Sequence, residues 1–292
     1  MKKYITIIAS LAALISCQRD GVADVLGESQ IVFEFGLPAT KATAENFEAG
    51  DKVSVWAVEY TTEEAPELQI GGNYLNNELL TYDGSKWGGR TMYWSEKPCD
   101  FYAVYPYIEP SSVESYLFEI TTDQNSAETE TALGGYEASD LLIAKSEKVS
   151  RADGKVSLKF KHMMSKCVVN VVKGPKFEGD FPEDIAVHIY NTVTTADLNL
   201  ANGSIEKYAL GNRNTITMKK VSADKFEAVV IPQNIERRTP LIEISMGGIA
   251  YLLEYSLSFK PGYQHTINLT VNTSPDQEKI EISIDAGTGD WE

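Results

Sequence analysis

Apolar and polar residues alternate along most of this chain with a period of two, not the 3.6 of a helix. In "QIVFEFGL" the alternation puts Ile31, Phe33, Phe35 and Leu37 on one face. In "DKVSVWAVEY" it sets Val53, Val55 and Ala57 against Trp56 and Val58, so both faces of that strand are apolar. The same holds in "CDFYAVYPY", with Phe101, Ala103 and Tyr105 opposite Tyr102 and Val104. "LLTYDGSKW" predicts a hairpin, because Asp83-Gly84 tolerates the positive φ that a tight turn needs. "KVSLKFKHMMSKCVVNVVK" is long enough for a helix, but its valine-rich run and the alternation of Val156, Leu158 and Phe160 favour two strands meeting near His162.

The glycines and prolines of "KGPKFEGDFPED" interrupt this pattern, and strands resume with "IAVHIYN", "ADLNLANGSIE", "NTITMKK", "KFEAVVIP", "PLIEISMGG", "IAYLLEYSLSF", "YQHTINLTVN" and "KIEISID". Short strands at such spacing predict an all-β chain of mostly antiparallel sandwiches. The parse is two units, 30–174 and 175–292. No repeat of fixed period suggests a propeller or solenoid.

The first residues follow a different rule. "MKKYITIIASLAALISC" has two lysines and then an apolar run from Ile5 to Ile15, too short for a membrane span of roughly 20 residues. It fits a secretory signal over 1–16. Its ending, Leu14-Ile15-Ser16-Cys17, resembles a bacterial lipobox, which makes Cys17 the predicted lipidation site and the acyl chains a membrane anchor. Residues 18–29 are small and polar, so 17–29 reads as a tether. Cys99 and Cys167 lie in apolar strand-like runs, where a buried free thiol is the expectation and a disulfide the alternative.

Charge narrows the function classes. With 42 acidic and 26 basic residues the formal net charge is −16, which argues against nucleic acid as a partner. Candidate chemistry is sparse. No metalloprotease, nucleophile-elbow, phosphate-loop or paired-cysteine motif occurs. His162, His188 and His265 stand in separate strand-like runs without ligands at metal spacing. The reading is therefore no catalytic residues, no metal and no cofactor. The aromatic group Trp87, Tyr93, Trp94, Phe101, Tyr102, Tyr105 and Tyr107 leaves glycan binding open as an alternative, although packing in a sandwich core accounts for most of these rings.

The order "IVFEFG…TKAT…F..GDKVSVWA", "YWSEKPCDFYAVYPY", "SDLLIA…KVSLKFKHMMSKCVVNV" and "SLSFKPGYQHTINLTV…IEISIDAGTGDWE" resembles the fimbrillin-like lipoproteins of Bacteroidales over nearly the whole mature chain. The resemblance implies a type V pilus subunit with two transthyretin-like, Greek-key β-sandwich domains. Such a subunit reaches the cell outer membrane as a lipoprotein held by its acyl anchor in outer-membrane lipid. A trypsin-like surface protease then removes the leader and first strand, and subunits join to other pilus subunits by donor-strand exchange.

On this chain the implied cut falls at Lys41-Ala42 in "LPATKATAEN", a small, polar stretch accessible to proteases. Lysine stands there in place of the more usual arginine. The chain could therefore be cut by a different protease, remain uncut, or serve as an anchor. The displaced strand would carry Ile31, Phe33 and Phe35. The alternation of Ile280, Ile282 and Ile284 suits either a donor strand or one that closes its own sheet.

Overall fold

The computed structural model describes residues 30–37, 47–64, 66–273 and 282–291. In chain order its elements are β1 (Phe33–Gly36), β2 (Lys52–Glu59), β3 (Leu75–Tyr82), β4 (Trp87–Gly88), β5 (Cys99–Tyr105), β6 (Tyr116–Glu119), a short helix α1 (Gly135–Ser139), β7 (Leu142–Val149), β8 (Val156–Lys159), β9 (Lys161–His162) and β10 (Ser165–Lys176). There follow β11 (Ala186–Val193), β12 (Thr195–Asn199), β13 (Ser204–Lys207), β14 (Arg213–Thr217), β15 (Lys219–Lys220) and β16 (Lys225–Val230). The last are β17 (Gln233–Ile235), β18 (Pro240–Met246), β19 (Ile249–Glu254), β20 (Leu257–Phe259), β21 (Tyr263–Thr273) and β22 (Ile282–Asp290). The chain is all-β, as the alternation requires.

Six strands form an antiparallel sheet in the order β4-β3-β2-β5-β7-β9. Its two faces feed different cores, because side chains on a strand point alternately to opposite sides. Val53, Val55, Ala57, Phe101 and Ala103 pack with Val156, Leu158 and Phe160, while Trp56, Val58, Tyr102 and Val104 join the core that continues into the later strands. The hairpin at Asp83-Gly84 forms as expected, with Tyr82 opposite Trp87 and Gly84 at φ +94°.

The later sheets run β15-β16-β10-β21-β22 and β14-β11-β18-β19, with β13-β12-β6 and the pair β17-β20 beside them. Most ladders are antiparallel, but β1–β8 and β10–β21 are parallel. Gly174 and Pro175, read in the sequence as the interruption between two units, lie inside β10. The β10–β21 ladder shifts register between Lys173 and Lys176, so the two residues make a bulge. A Cβ on Gly174 would come within 2.6 Å of the Asn272 backbone, so the close passage of the two strands requires glycine there. Every ladder partner of β10 lies later in the chain, which makes Ser165 the start of the second group of sheets. The groups are also stitched together, because β6 pairs with β12.

Candidate functional site

The first strand is held mainly by its side chains. β1 lies parallel to β8 in the register Phe33↔Val156 and Phe35↔Leu158. The amides of Val156 and Phe160 donate to the carbonyls of Val32 and Gly36, at 2.9 and 2.8 Å. On the other flank the Ile31 amide donates to the Met92 carbonyl at 2.9 Å. The inward rings do the packing: Phe33 meets Phe101 edge-on at 6.0 Å, and Phe35 meets Trp87 at 4.8 Å and Phe160 at 5.7 Å. Outward, Val32 is 59% exposed, and Glu34 pairs with Lys155 at 2.6 Å and accepts from the Ser157 hydroxyl at 3.0 Å.

A groove of about 800 Å³ follows β1 between its outer edge and the segment from Ser85 to Met92. Val156 and Leu158, buried almost completely, lie opposite β1 in the ladder. Losing β1 would uncover them together with Phe101 and Phe160.

The last strand is built the opposite way. β22 forms an antiparallel ladder with β21 from Val271↔Ile282 to Tyr263↔Asp290, and among the described residues its other edge has no ladder partner. Ile282, Ile284 and Ala286 are half-buried, and the remaining residues of the strand are exposed. Burial returns only at Trp291, which is 7% exposed. Its indole stacks on the His162 imidazole at 3.8 Å with the planes 8° apart, and its amide donates to the Gly262 carbonyl.

His162 Nδ1 lies 2.9 Å from an Asp140 carboxylate oxygen, which fixes the ring, while Nε2 is buried without a hydrogen-bond partner. These residues line a cavity of about 580 Å³ that also touches Leu37, Phe47 and Lys219. Close by, Lys219 pairs with Glu137, and the Lys219 and Lys166 ammonium groups lie over the Tyr136 ring at 5.2 and 5.9 Å. Burial raises the Tyr136 hydroxyl well above the ordinary tyrosine range.

Cys17, Lys41, Ala42 and Ile280 lie outside the described residues. Ile31, Phe33 and Phe35 are together on one face of the first strand, packed onto the core. Ile282 and Ile284 lie at the far edge of the five-stranded sheet, paired with their own chain. The two terminal strands therefore belong to different sheets. Of the sequence's candidate glycan surface, Trp87, Trp94 and Tyr105 pack onto the core, Phe101 and Tyr102 are buried and Tyr107 is half-buried, which leaves Tyr93 as the one exposed ring of the seven, at 47%.

Cys99 and Cys167 are buried free thiols, pushed by burial up to about 11 and about 12. Burial and the nearby Lys260 keep the pKa of His265 low. Among the described residues no group of three or more histidines, cysteines or carboxylates could hold a metal, and no helix is long and apolar enough to cross a membrane. The stack of His162 on Trp291 escaped the sequence reading. A lone tryptophan in a glycine-rich polar tail was its only trace.

Mostly antiparallel sheets around two cores, with a groove beside the first strand and a tryptophan-anchored last strand, define an all-β protein of the β-sandwich class. Residues 40–291 match the family described as fimbrillin-like, and the chain belongs to that family. Solved structures share the fold. A candidate cell adhesion protein from Bacteroides uniformis ATCC 8492 is 21% identical with a TM-score of 0.66, covering 90% of this chain and 99% of its own. One from Bacteroides ovatus ATCC 8483 is 13% identical with a TM-score of 0.64, over 90% and 96%. A fimbrial protein from Bacteroides ovatus ATCC 8483 is 17% identical with a TM-score of 0.53, over 85% and 51%. No curated protein matches the chain significantly.

Proposed function

We propose that this chain is a non-enzymatic fimbrial subunit, exported as an outer-membrane lipoprotein through Cys17 and matured by a trypsin-like surface protease between Lys41 and Ala42. Maturation removes the segment bearing Ile31, Phe33 and Phe35, and a strand of another subunit takes its place. The two groups of strands act as tandem sandwiches whose seam falls between His162 and Ser165.

The observation that carries this reading is the mounting of β1. It is a short parallel strand beside an open groove, yet it covers Val156 and Leu158, which are 0% and 1% exposed. A strand that packs on a core and has its ladder with one neighbour, β8, can be removed without unravelling the larger sheets. What remains is an apolar trench with unpaired backbone groups, which an incoming extended chain satisfies. Three large apolar side chains entering such a trench contribute about 1.5–3 kcal/mol each before ordering costs. The isoleucines at 280, 282 and 284 have the required spacing.

The test is the amino-terminal sequence of the protein taken from the cell surface. A start at Ala42 in the polymer fraction is expected. An acylated start at Cys17 in every surface molecule overturns cleavage and assigns the chain to an anchoring role.

A further inference from the structure

We infer that the His162 face in the wall of the cavity beside Asp140 is a tryptophan socket, covered by the chain's own Trp291 in the free subunit and by Trp291 of a second copy in the assembled one. This rests on the strand-exchange reading above and adds to it a specific contact between subunits.

The groove beside β1 and the cavity at His162 are neighbours, since Leu37 and Phe47 line both. The path of β1 runs from Gln30 along the groove to Leu37 and so points at the socket. A second copy's tail lying in the place and direction of β1 would set its isoleucines where Ile31, Phe33 and Phe35 now lie, and Ala286 where Leu37 is. Trp291 then follows five residues on. Five residues reach at most about 17 Å, enough to cross a cavity of this size.

The socket is built for one kind of side chain. It offers a flat imidazole face whose orientation Asp140 fixes, at a stacking distance of 3.8 Å. Trp291 is buried whereas the strand before it is exposed or half-buried, so it is the main side-chain tether of the tail. A tail that leaves its own sheet must withdraw this indole, which empties the socket and uncovers the unpartnered His162 Nε2. Replacement by the same residue of a neighbour restores the stack on His162. The β21–β22 ladder is given up in the exchange and the pairing gained along β8 must offset it, while occupancy of the socket fixes both the direction and the register of the donated strand.

Chains starting at Ala42 provide the test, in two variants, His162→Cys and Trp291→Cys, mixed and oxidised after assembly. Disulfide-linked pairs of copies are expected in the polymer fraction of the mixture and in neither variant alone. Cys99 and Cys167 stay buried and supply the background control. In parallel, Trp291→Ala is expected to lower polymer yield about tenfold and Trp291→Phe to retain most of it, as the loss of an aromatic stack predicts. Where Trp291→Ala does not fold, His162→Gln removes the ring face while leaving Asp140 a partner, and the same tenfold loss is expected.

Polymers without the linked pair, or full assembly by both Trp291→Ala and His162→Gln, overturn the socket and leave strand exchange standing. Failure of the unaltered Ala42 chain to assemble overturns both.

Discussion

The two terminal strands solve the same problem, attachment at an edge, by opposite means. β1 has four residues and a single parallel partner, but its phenylalanines sit among Trp87, Phe101 and Phe160. β22 has nine residues in unbroken register with β21, but it buries little until Trp291. Rings packed side by side against a core support one another, since withdrawal of one opens a void beside the next. A backbone ladder at a sheet edge can open one pair at a time, with water replacing each bond. Under the proposed strand exchange, this difference would keep the ring-packed strand in place until it is cut and let the edge-laddered strand open without a cut.

The largest effect that sharpens this contrast concerns the sheet that carries β22. There Glu227 is buried between Lys166 and Lys225, at 2.9 and 2.7 Å. Burial pushes its carboxyl up, but the hydrogen bonds from Lys225 and Lys166 outweigh this and hold it below the usual carboxylate range. Glu227→Gln leaves Lys166 uncompensated and is expected to cost about 3–5 kcal/mol in urea unfolding. Because its folded pKa is depressed, Glu227 contributes stability fully present above the unfolded value of 4.5 and lost as pH falls through the folded pKa. Hydrogen exchange below about pH 4 is therefore expected to accelerate in β10, β16 and β21 before β2 and β5. Acceleration in the reverse order would break the comparison.

Next in size is Phe35→Ala. Its ring is half-buried, so the low end of the range for phenylalanine truncation applies, about 2–3 kcal/mol, read as a lower denaturant midpoint of the uncut chain. A loss below 1 kcal/mol would mean that backbone bonds, not rings, hold β1, and the distinction between the two ends would disappear.

Much of this was legible in the chain. Alternation set Val53, Val55 and Ala57 on the face opposite Trp56 and Val58, and the structure gives each face its own core, because a strand buried on both faces still keeps its period of two. Asp83-Gly84 named its own turn for the local reason that a glycine there accepts a positive φ. The partnership of β1 with β8 was illegible, since parallel strands distant in sequence share no turn and leave no local signature. Gly174-Pro175 signals an interruption, but a bulge and a linker use the same residues, and only the approach of Asn272 distinguishes them. The stack of Trp291 on His162 joins positions far apart, and the lone tryptophan of the polar tail does not name its partner.

A smaller effect is expected from Ile282→Asp. The side chain is half-buried beside β21, so the free subunit should lose only about 1–2 kcal/mol. Assembly should nonetheless be abolished, because the same side chain would have to enter a neighbour's apolar trench carrying a charge. Size-exclusion profiles of the mature chain report both. Multimers that persist at wild-type length would identify β22 as a strand that only closes its own sheet.

The smallest effect tests whether the solvent side of β1 matters at all. Glu34 lies on that face, with Lys155 at 2.6 Å and the Ser157 hydroxyl at 3.0 Å across the parallel pair. The Lys155 and Ser157 hydrogen bonds hold its carboxyl below the usual range, but both members of the ion pair are more than half exposed. Water and salt screen such a pair, and ordering two long side chains offsets much of its attraction. Glu34→Gln should therefore leave the melting temperature of the uncut chain unchanged within error, at low and at high salt alike. A salt-dependent drop would show that charge on the outer face helps to retain the first strand. Its attachment would then depend on ionic strength, which the ring packing of Phe33 and Phe35 does not.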